Sequence, residues 1–211
     1  METAVMDLLR ESTRDLHNDA EGQDFQRQLG SGSVHRAAYV RYLAQLKLLH
    51  EKLASLLLEN ADDRYISQVL KSYHTDNSSL ARDLQFLRPG EEDKKPLSST
   101  AGIMQDLEDC AAKAPYSLLG HLYVLEGSTN GAKFMAKNIR DGLGLPPDRG
   151  ATYFDRHGDE QRQRWTAFKQ DMNTLDFSPA EKGELVSSAK RMFQAFFEIG
   201  SELLTANSLC E

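Results

Sequence analysis

The sequence has no apolar run near the roughly 20 residues that a membrane-spanning helix needs. Its first residues also lack the apolar core of a signal peptide, because Asp7, Arg10 and Glu11 interrupt them. Basic residues form no long block, and the formal net charge is −7, which argues against a non-specific nucleic-acid-binding surface. We therefore expect a soluble, cytoplasmic protein with neither a membrane nor a nucleic acid as partner.

Cysteines and prolines are also few, and patterns typical of β-strands are nearly absent. Cys110 and Cys210 lie far apart and form no metal-binding or redox spacing. The six prolines are concentrated between candidate helices. This usage fits a protein of a reducing compartment with an all-helical fold.

Helical periodicity dominates what remains. Apolar residues recur every three or four positions, which is typical of amphipathic helices. With 211 residues, of which 40% are hydrophobic, the chain is long enough to bury a substantial core, and we expect a single compact all-α domain over residues 1–211. The pattern predicts about seven or eight helices, near residues 3–20, 34–58, 64–72, 76–87, from 98 or 99 through 107, 115–143, 158–174 and from 179 onward.

Local signals mark two of the helix starts. Ser178, Pro179 and Glu181 combine a serine cap, a proline at the first helical position and an acid in the first turn. Ser33 is a candidate cap for the helix that follows it. A glycine- and proline-bearing segment at residues 142–147 ends the longest helical pattern.

The first helix carries a histidine of chemical interest. Its apolar stripe consists of Met6, Leu9, Thr13, Leu16 and Ala20. His17 stands beside that stripe at the predicted core–surface boundary, and Glu21 follows one turn later, within reach of the imidazole. Arg10 precedes His17 by two turns, about 10 Å along the helix. This set could ligate a metal-centred, anionic cofactor; the alternative is an ordinary helix with one half-buried histidine.

The longest helix contains an unusual glycine-bearing stretch, residues 123–133. Gly127 and Gly131 lie on one face, and each glycine costs a helix interior roughly 1 kcal/mol relative to alanine. Ser128 and Ala132 repeat the same step beside them. The strip would let a flat molecule approach the main chain and let the helix bend. The alternative is close helix–helix packing; a phosphate cradle is disfavoured, because interior glycines present no free N–H groups.

The two stretches complement each other. One helix presents a histidine backed by a carboxylate, and the other presents a face without large side chains. A flat macrocycle between them would take iron ligation from one side and steric clearance from the other. This is how an iron porphyrin could be held by a proximal histidine.

Three segments carry a family resemblance, at residues 9–21, 122–128 and 172–179. In these segments, and over nearly its whole length, the chain resembles the heme oxygenases, and its residues 122–128 are closer to the soluble bacterial branch. The resemblance implies an all-α fold in which heme is sandwiched between a proximal N-terminal helix and a glycine-bearing distal helix. It also implies that His17 is the axial iron ligand and that Glu21 is its hydrogen-bonding partner.

The resemblance further assigns the propionate contacts. Arg10 and Lys169 match positions where the family places cations that pair with heme propionates, and Arg14 and Tyr123 are weaker matches. Charge-assisted hydrogen bonds of this kind are the strong ones. Without the resemblance, each of these cations would be read as a solvated surface charge.

On the distal helix, Gly127 and Gly131 match the family's glycines, but the surrounding residues depart from its best-known pattern. Ser128 replaces an aspartate that organises water around bound dioxygen, Ala132 replaces a second glycine, and Asn130 precedes Gly131. A serine makes hydrogen bonds of roughly half the strength of those of a carboxylate. These departures bear on oxygen activation more than on heme binding.

The remaining histidines and the tryptophan receive structural interpretations. By resemblance, His50 lies near the distal network, but a partly buried core histidine is the preferred reading. His121 is read as structural, and Trp165 as part of the core. The other three histidines read as loop or helix-end residues: His35, His74 and His157.

By resemblance, the expected reaction is oxidative cleavage of heme to biliverdin with release of iron and CO. Heme serves as cofactor and substrate, O2 is consumed, and an external donor such as ferredoxin or a flavoprotein reductase supplies electrons. A monomer is the default. The main alternative is a non-catalytic heme-binding sensor or carrier of the same fold. Two others are a helical enzyme acting on another small molecule, as thiamin-degrading relatives do, and a purely structural helical adaptor.

Overall fold

A computed structural model describes residues 4–208 of the chain. These residues form nine α-helices joined by short loops and 3-10 turns, and they contain no β-strand. In chain order the helices are α1 (Val5–Gly22), α2 (Asp24–Ser31), α3 (Arg36–Glu59), α4 (Ile66–Val69), α5 (Ser78–Leu87), α6 (Ser98–Lys113), α7 (Leu118–Leu143), α8 (Gln161–Thr174) and α9 (Pro179–Ser208). The all-α prediction is confirmed, although the short helix α2, which the pattern did not predict, raises the number above the seven or eight expected.

The start of α9 follows its sequence signal. The Ser178 backbone N–H donates to Glu181 Oε2 at 2.7 Å, and the Glu181 N–H donates to Ser178 Oγ at 3.3 Å. Pro179 occupies the first helical position, where its missing N–H leaves no hydrogen bond unmade. This reciprocal capping box satisfies two backbone donors at the helix end.

The helix predicted over residues 64–72 is wrong in extent. Only Ile66–Val69 is α-helical, and a separate 3-10 turn covers Ser72–His74. The main chain is extended between them, with ψ of 156° at Lys71. The Lys71 N–H donates to His74 Nδ1 at 3.1 Å, so a side chain takes the hydrogen bond that helix continuation would have used.

Two other helix starts differ from expectation. Ser33 does not cap α3, whose N-cap position is His35 without a side-chain hydrogen bond; the Ser33 hydroxyl instead pairs with Ser31. The N-terminus of α6 is capped by Glu202 of α9, whose carboxylate accepts from the N–H groups of Ser98 and Ser99. Ser31 is a local partner of Ser33, whereas Glu202 lies 104 residues from Ser98, so no local pattern reveals that cap.

Helix α9 forms the wall against which the two helices of interest lie. Both α1 and α7 make their most extensive packing against α9. The approach of α7 is close at Gly120, where an added Cβ would stand only 2.3 Å from the Leu185 carbonyl oxygen. Since α1 and α7 share one support, their relative placement is set by α9.

A membrane-spanning helix must be long and continuously apolar. Within residues 4–208, no helix combines the length and the apolar character needed to span a membrane.

Candidate functional site

His17 projects from α1 with an exposed ring. Its side chain is 55% exposed, more than the boundary position predicted from the sequence. Nδ1 lies 3.8 Å from Glu21 Oε2, which confirms that the carboxylate is within reach of the ring. The ring makes an edge contact with Phe193 of α9 at 5.8 Å between centroids. Among the described residues, no hydrogen bond engages Nε2, so this nitrogen is open to a ligand.

An open groove runs beside this histidine along α1 and α9. Its apolar lining includes Leu16 from α1 and Phe193, Phe197 and Leu204 from α9. Phe197 is one of the exposed large hydrophobic residues of the described chain. Phe193 both lines this groove and contacts the His17 ring, so the histidine lies at the edge of an aromatic surface.

The glycine strip of α7 has free space in front of it. A Cβ added at Gly131 would meet no atom within 4 Å, and one at Gly127 would meet only the Trp165 ring at 3.6 Å. The alternative that these two glycines serve close helix–helix packing is therefore wrong. That role belongs to Gly120, described above, and to Gly142, where a Cβ would stand 1.8 Å from the Gly32 carbonyl oxygen.

Side chains disturb the α7 backbone at this strip. Ser128, Thr129 and Asn130 each donate a hydrogen bond to the carbonyl oxygen three residues earlier, at 2.8, 2.6 and 2.9 Å. Such bonds compete with the regular helical ladder and favour bending. The exposed Ser128 hydroxyl gives its proton to the helix, and its oxygen remains able to accept a hydrogen bond.

Three of the candidates for binding propionates lie around Tyr123. Burial raises the pKa of Tyr123, while the Thr13 hydroxyl and the Arg10 charge oppose the rise, so this tyrosine of α7 lies next to α1. On its other side Tyr123 packs against Trp165 at 6.0 Å. Lys169 Nζ lies 5.9 Å from the Trp165 ring. Arg10, Tyr123 and Lys169 are thus brought to one region, as the resemblance implies.

Trp165 is only partly buried and belongs to this region. Its indole stacks on Phe168 at 5.6 Å with an interplanar angle of 12°, and it also covers Gly127. The prediction of a core role is accordingly correct for one face of the ring only, because its other atoms form part of the wall beside the glycine strip.

Sequence reasoning missed a buried ion cluster directly behind the strip. Glu126, 4% exposed, pairs with Arg156 at 3.1 Å and with His157 at 3.3 Å. Burial raises the pKa of Glu126, but the His157 hydrogen bond and the Arg156 charge outweigh it and lower the pKa to about 2. The partners are 30 residues away in the chain, so no spacing signal could have identified them.

The cluster extends towards the surface and the core. Arg164 Nη1 donates to His157 Nδ1 at 2.8 Å, which makes that nitrogen an acceptor and leaves Nε2 to donate to the carboxylate. Deeper inside, His50 Nε2 bonds Tyr153 Oη at 2.9 Å, and burial lowers the pKa of His50 to about 3. His50 is therefore a neutral core histidine, as preferred from the sequence.

A second cluster has the composition of a metal site. Ligand atoms of Asp106, Cys110 and His121 lie within 4.8 Å of one another. Arg191 already fills the space, however, with Nε 2.7 Å from an Asp106 oxygen and Nη2 donating to Cys110 Sγ at 3.2 Å. A guanidinium cation compensates the carboxylate, so we assign the cluster a structural role, as expected for His121. Cys210 lies outside the described residues.

Comparison with known proteins adds to this geometry. The family model described as heme oxygenase matches residues 3–202. A heme oxygenase of Porphyra purpurea is 23% identical over 207 residues, which cover 96% of this chain and 88% of that protein.

Solved structures show the same fold. The heme oxygenase of Leptospira interrogans superimposes with a TM-score of 0.88 at 22% identity, covering 95% of this chain and all of that one. Heme oxygenase-2 of Synechocystis sp. PCC 6803, solved in complex with heme and NO, gives 0.91 at 23% identity, covering 99% of this chain and 88% of that one. At these identities the structural likeness establishes fold alone.

Proposed function

The chain belongs to the heme oxygenase family, and from this premise we propose that it binds heme between α1 and α7 and cleaves it oxidatively. The observation that carries the proposal is that a histidine and a glycine strip lie on two helices that share one support. An exposed histidine with an open ring nitrogen stands on α1, and a glycine strip with free space in front of it lies on α7. Both helices pack on the same α9.

His17 would hold the iron through Nε2. Glu21, 3.8 Å from Nδ1, would accept a hydrogen bond from the N–H at that nitrogen and so fix the ring orientation and its tautomer. The edge contact with Phe193 limits rotation of the imidazole.

Arg10 and Lys169 would bind the two propionates. They stand near Tyr123 and Trp165. Within residues 4–208 the ion-pair partner of Arg10 is the exposed Asp7, 3.5 Å away. An exposed pair of this kind is worth little, so Arg10 is free to exchange it for a propionate. Tyr123 would contribute a hydroxyl next to the same group.

On the distal side, Gly127 and Gly131 would give the macrocycle access to the main chain. The hydroxyl oxygen of Ser128 and the amide of Asn130 are the polar groups at the strip, and we assign them to holding ordered water near the reacting O2. The free space at this face of α7 exists because the two glycines carry no side chains.

Bound heme would supply the iron chemistry and would itself be the substrate. We propose biliverdin, iron and CO as products, O2 as co-substrate and an external donor such as ferredoxin or a flavoprotein reductase as the electron source. The unit that acts is proposed to be a cytoplasmic monomer, with no membrane or nucleic acid partner.

One observation favours a second candidate, a heme-binding sensor or carrier without turnover. Ser128 stands where a carboxylate would organise water, and its only proton is given to the Leu125 carbonyl oxygen. A distal side that holds water poorly would bind heme and leave it intact.

The deciding experiment adds equimolar hemin to the purified chain, then a reductant in the presence of O2, and follows the visible spectrum. A heme band that converts to a bilin absorption supports cleavage. A band that persists with every donor favours the sensor or carrier. Absence of any heme band would leave the heme proposal without support.

The matched variants in this experiment are His17→Ala and His35→Ala. Loss of the axial nitrogen is expected to weaken hemin binding by roughly tenfold or more and to shift the heme band. His35 is exposed at the start of α3, so its replacement controls for removal of a surface imidazole. A His17→Ala spectrum identical to the parent would refute the ligand assignment.

A further inference from the structure

Glu126 is the last residue before the glycine strip, and its side chain is buried on the side of α7 that meets the segment around residues 152–160. Its carboxylate receives Arg156 Nη2 at one oxygen and His157 at the other, at 3.1 and 3.3 Å. All three side chains are less than a tenth exposed. The proposed heme chemistry uses none of them.

The segment that carries these partners is itself anchored to the core. The buried carboxylate of Asp83 accepts hydrogen bonds from Gly150 N at 2.7 Å, Thr152 Oγ1 at 2.9 Å and Tyr153 N at 2.8 Å. The hydroxyl of Tyr39 donates to the Gly150 carbonyl oxygen at 2.7 Å. Arg156 and His157 therefore extend from a fixed base.

Arg156 also reaches the main chain of α7. Its Nη2 donates to the Leu125 carbonyl oxygen at 3.3 Å, and the same oxygen accepts the Ser128 hydroxyl at 2.8 Å. A helical carbonyl drawn to side-chain donors is a recognised cause of local bending. One guanidinium thus holds both the carboxylate before the strip and the backbone on which Ser128 depends.

We propose that Glu126 is a positioning residue, which ties this turn of α7 to the anchored segment through Arg156 and His157 and so sets the height of Gly127, Gly131 and Ser128 above the bound macrocycle. This inference rests on the proposed heme function. A direct proton-donating role does not fit, because the carboxylate stays ionised between the Arg156 cation and the His157 N–H donor. Its contribution is a fixed geometry.

The chain offers a matched control. Asp106 pairs with Arg191 and with His121, so it forms a second carboxylate–arginine–histidine cluster that also touches α7. His121 lies about 9 Å before Gly127 by helix rise. Asp106→Asn therefore removes a carboxylate with the same kinds of partner, although one that is 26% exposed, while leaving the contacts of the glycine-bearing segment in place.

The test compares the full-length parent, Glu126→Gln, Asp106→Asn and the double variant Glu126→Leu/Arg156→Met. The double variant replaces both members of the ion pair with apolar side chains. Folded proteins often tolerate this change, whereas removing one partner leaves a buried charge unpaired and is costly. It keeps the test decisive if Glu126→Gln does not fold.

The first measurement is amide hydrogen exchange across residues 124–132, without and with hemin. We expect exchange roughly tenfold faster in the Glu126 variants and unchanged in Asp106→Asn. The second is turnover and the ratio of ring-opened isomers with hemin, reductant and O2. The Glu126 variants should lose about tenfold in turnover and lose isomer selectivity, with hemin affinity nearly retained, because a small misplacement at a reacting centre is costly.

Unchanged exchange in the Glu126 variants, or an isomer ratio matching that of Asp106→Asn, would overturn the inference. Equal effects in the Glu126 and Asp106 variants would also overturn it, since both would then reflect general loss of stability. Failure of the proposed function is recognised separately, because the parent protein would then form no bilin.

Discussion

At the scale of single residues, Ser128 offers a hydrogen-bond acceptor, and no free donor, at the glycine strip. Its hydroxyl has one proton, and that proton goes to the Leu125 carbonyl oxygen, which leaves an acceptor facing the exposed side of α7. A water held there would have to donate its hydrogen bond to Ser128. Such a water would be oriented opposite to one that accepts a hydrogen bond from a serine hydroxyl.

We expect Ser128→Asp to change turnover or the isomer ratio of the bilin products. A carboxylate accepts hydrogen bonds roughly twice as strong as those to a hydroxyl and can hold more than one water. The measurement is product analysis by chromatography after reaction with reductant and O2. Ser128→Ala is the control, since it removes the hydroxyl and adds no charge. If both variants match the parent in rate and product ratio, Ser128 has no part in organising the distal waters.

At the scale of elements, α7 uses its glycines for two different purposes. Gly120 and Gly142 allow backbone contact with α9 and with the end of α2, whereas Gly131 faces open space and Gly127 faces the Trp165 ring at ordinary contact distance. The sequence alone predicted the strip at residues 127–131, since two glycines in a helix interior require a reason. It did not identify Gly120 as a packing glycine, because the neighbour that makes it necessary, Leu185, is distant in the chain.

Gly131→Ala should stabilise the fold while weakening heme binding. The new Cβ meets nothing within 4 Å, and alanine is favoured over glycine in a helix by about 1 kcal/mol. The melting temperature of the heme-free protein should rise by about 2–4 °C. In the hemin titration the methyl group would occupy the clearance and lower affinity.

The matched control is Gly120→Ala, whose Cβ would stand 2.3 Å from a backbone oxygen. It should destabilise by about 1–3 kcal/mol, as overpacked sites do. Urea unfolding and hemin titration on both variants separate the two effects. A Gly131→Ala protein with unchanged heme affinity would show that the strip does not face the macrocycle.

Local signals therefore account for much of the fold and for part of the candidate site. The capping box at Ser178 and Glu181 and the His17–Glu21 pair involve neighbours along one helix, so spacing alone predicts them. The Glu126–Arg156 pair depends on the path of the chain between α7 and α8, which no local pattern describes. Long-range ion clusters are thus the part that sequence reasoning could not supply.

At the scale of the whole molecule, α9 holds α1 and α7 while a polar interior stabilises the other side of α7. That interior includes two buried histidines. Burial lowers the pKa of His50 to about 3 and that of His74 to about 4. The hydrogen bonds of both rings suit neutral histidines. His74 Nδ1 accepts from the Lys71 N–H, and His50 Nε2 is hydrogen-bonded to the Tyr153 hydroxyl.

These pKa shifts predict that stability is lost on acidification well before carboxylates titrate. In the unfolded chain both histidines take up protons as the pH falls below about 6.5, while in the folded chain they stay neutral until the pH approaches their lowered values. Stability therefore falls with pH over this window, by about 1.4 kcal/mol per pH unit for each histidine. Below about pH 4.5, Glu126 adds a loss of the same sign, because its folded pKa is about 2.

Urea unfolding at several pH values between 7.5 and 4.5 checks this prediction. The free energy of unfolding should drop by about 3 kcal/mol between pH 6 and 4.5 from the two histidines. His50→Gln and His74→Gln should each remove roughly half of this pH dependence of the unfolding free energy, and the double variant should remove most of it. This holds whatever the substitutions do to stability at neutral pH. A parent protein whose stability is flat over this range would mean that both histidines are protonated in the folded state, and the neutral assignments of His50 and His74 would fail together.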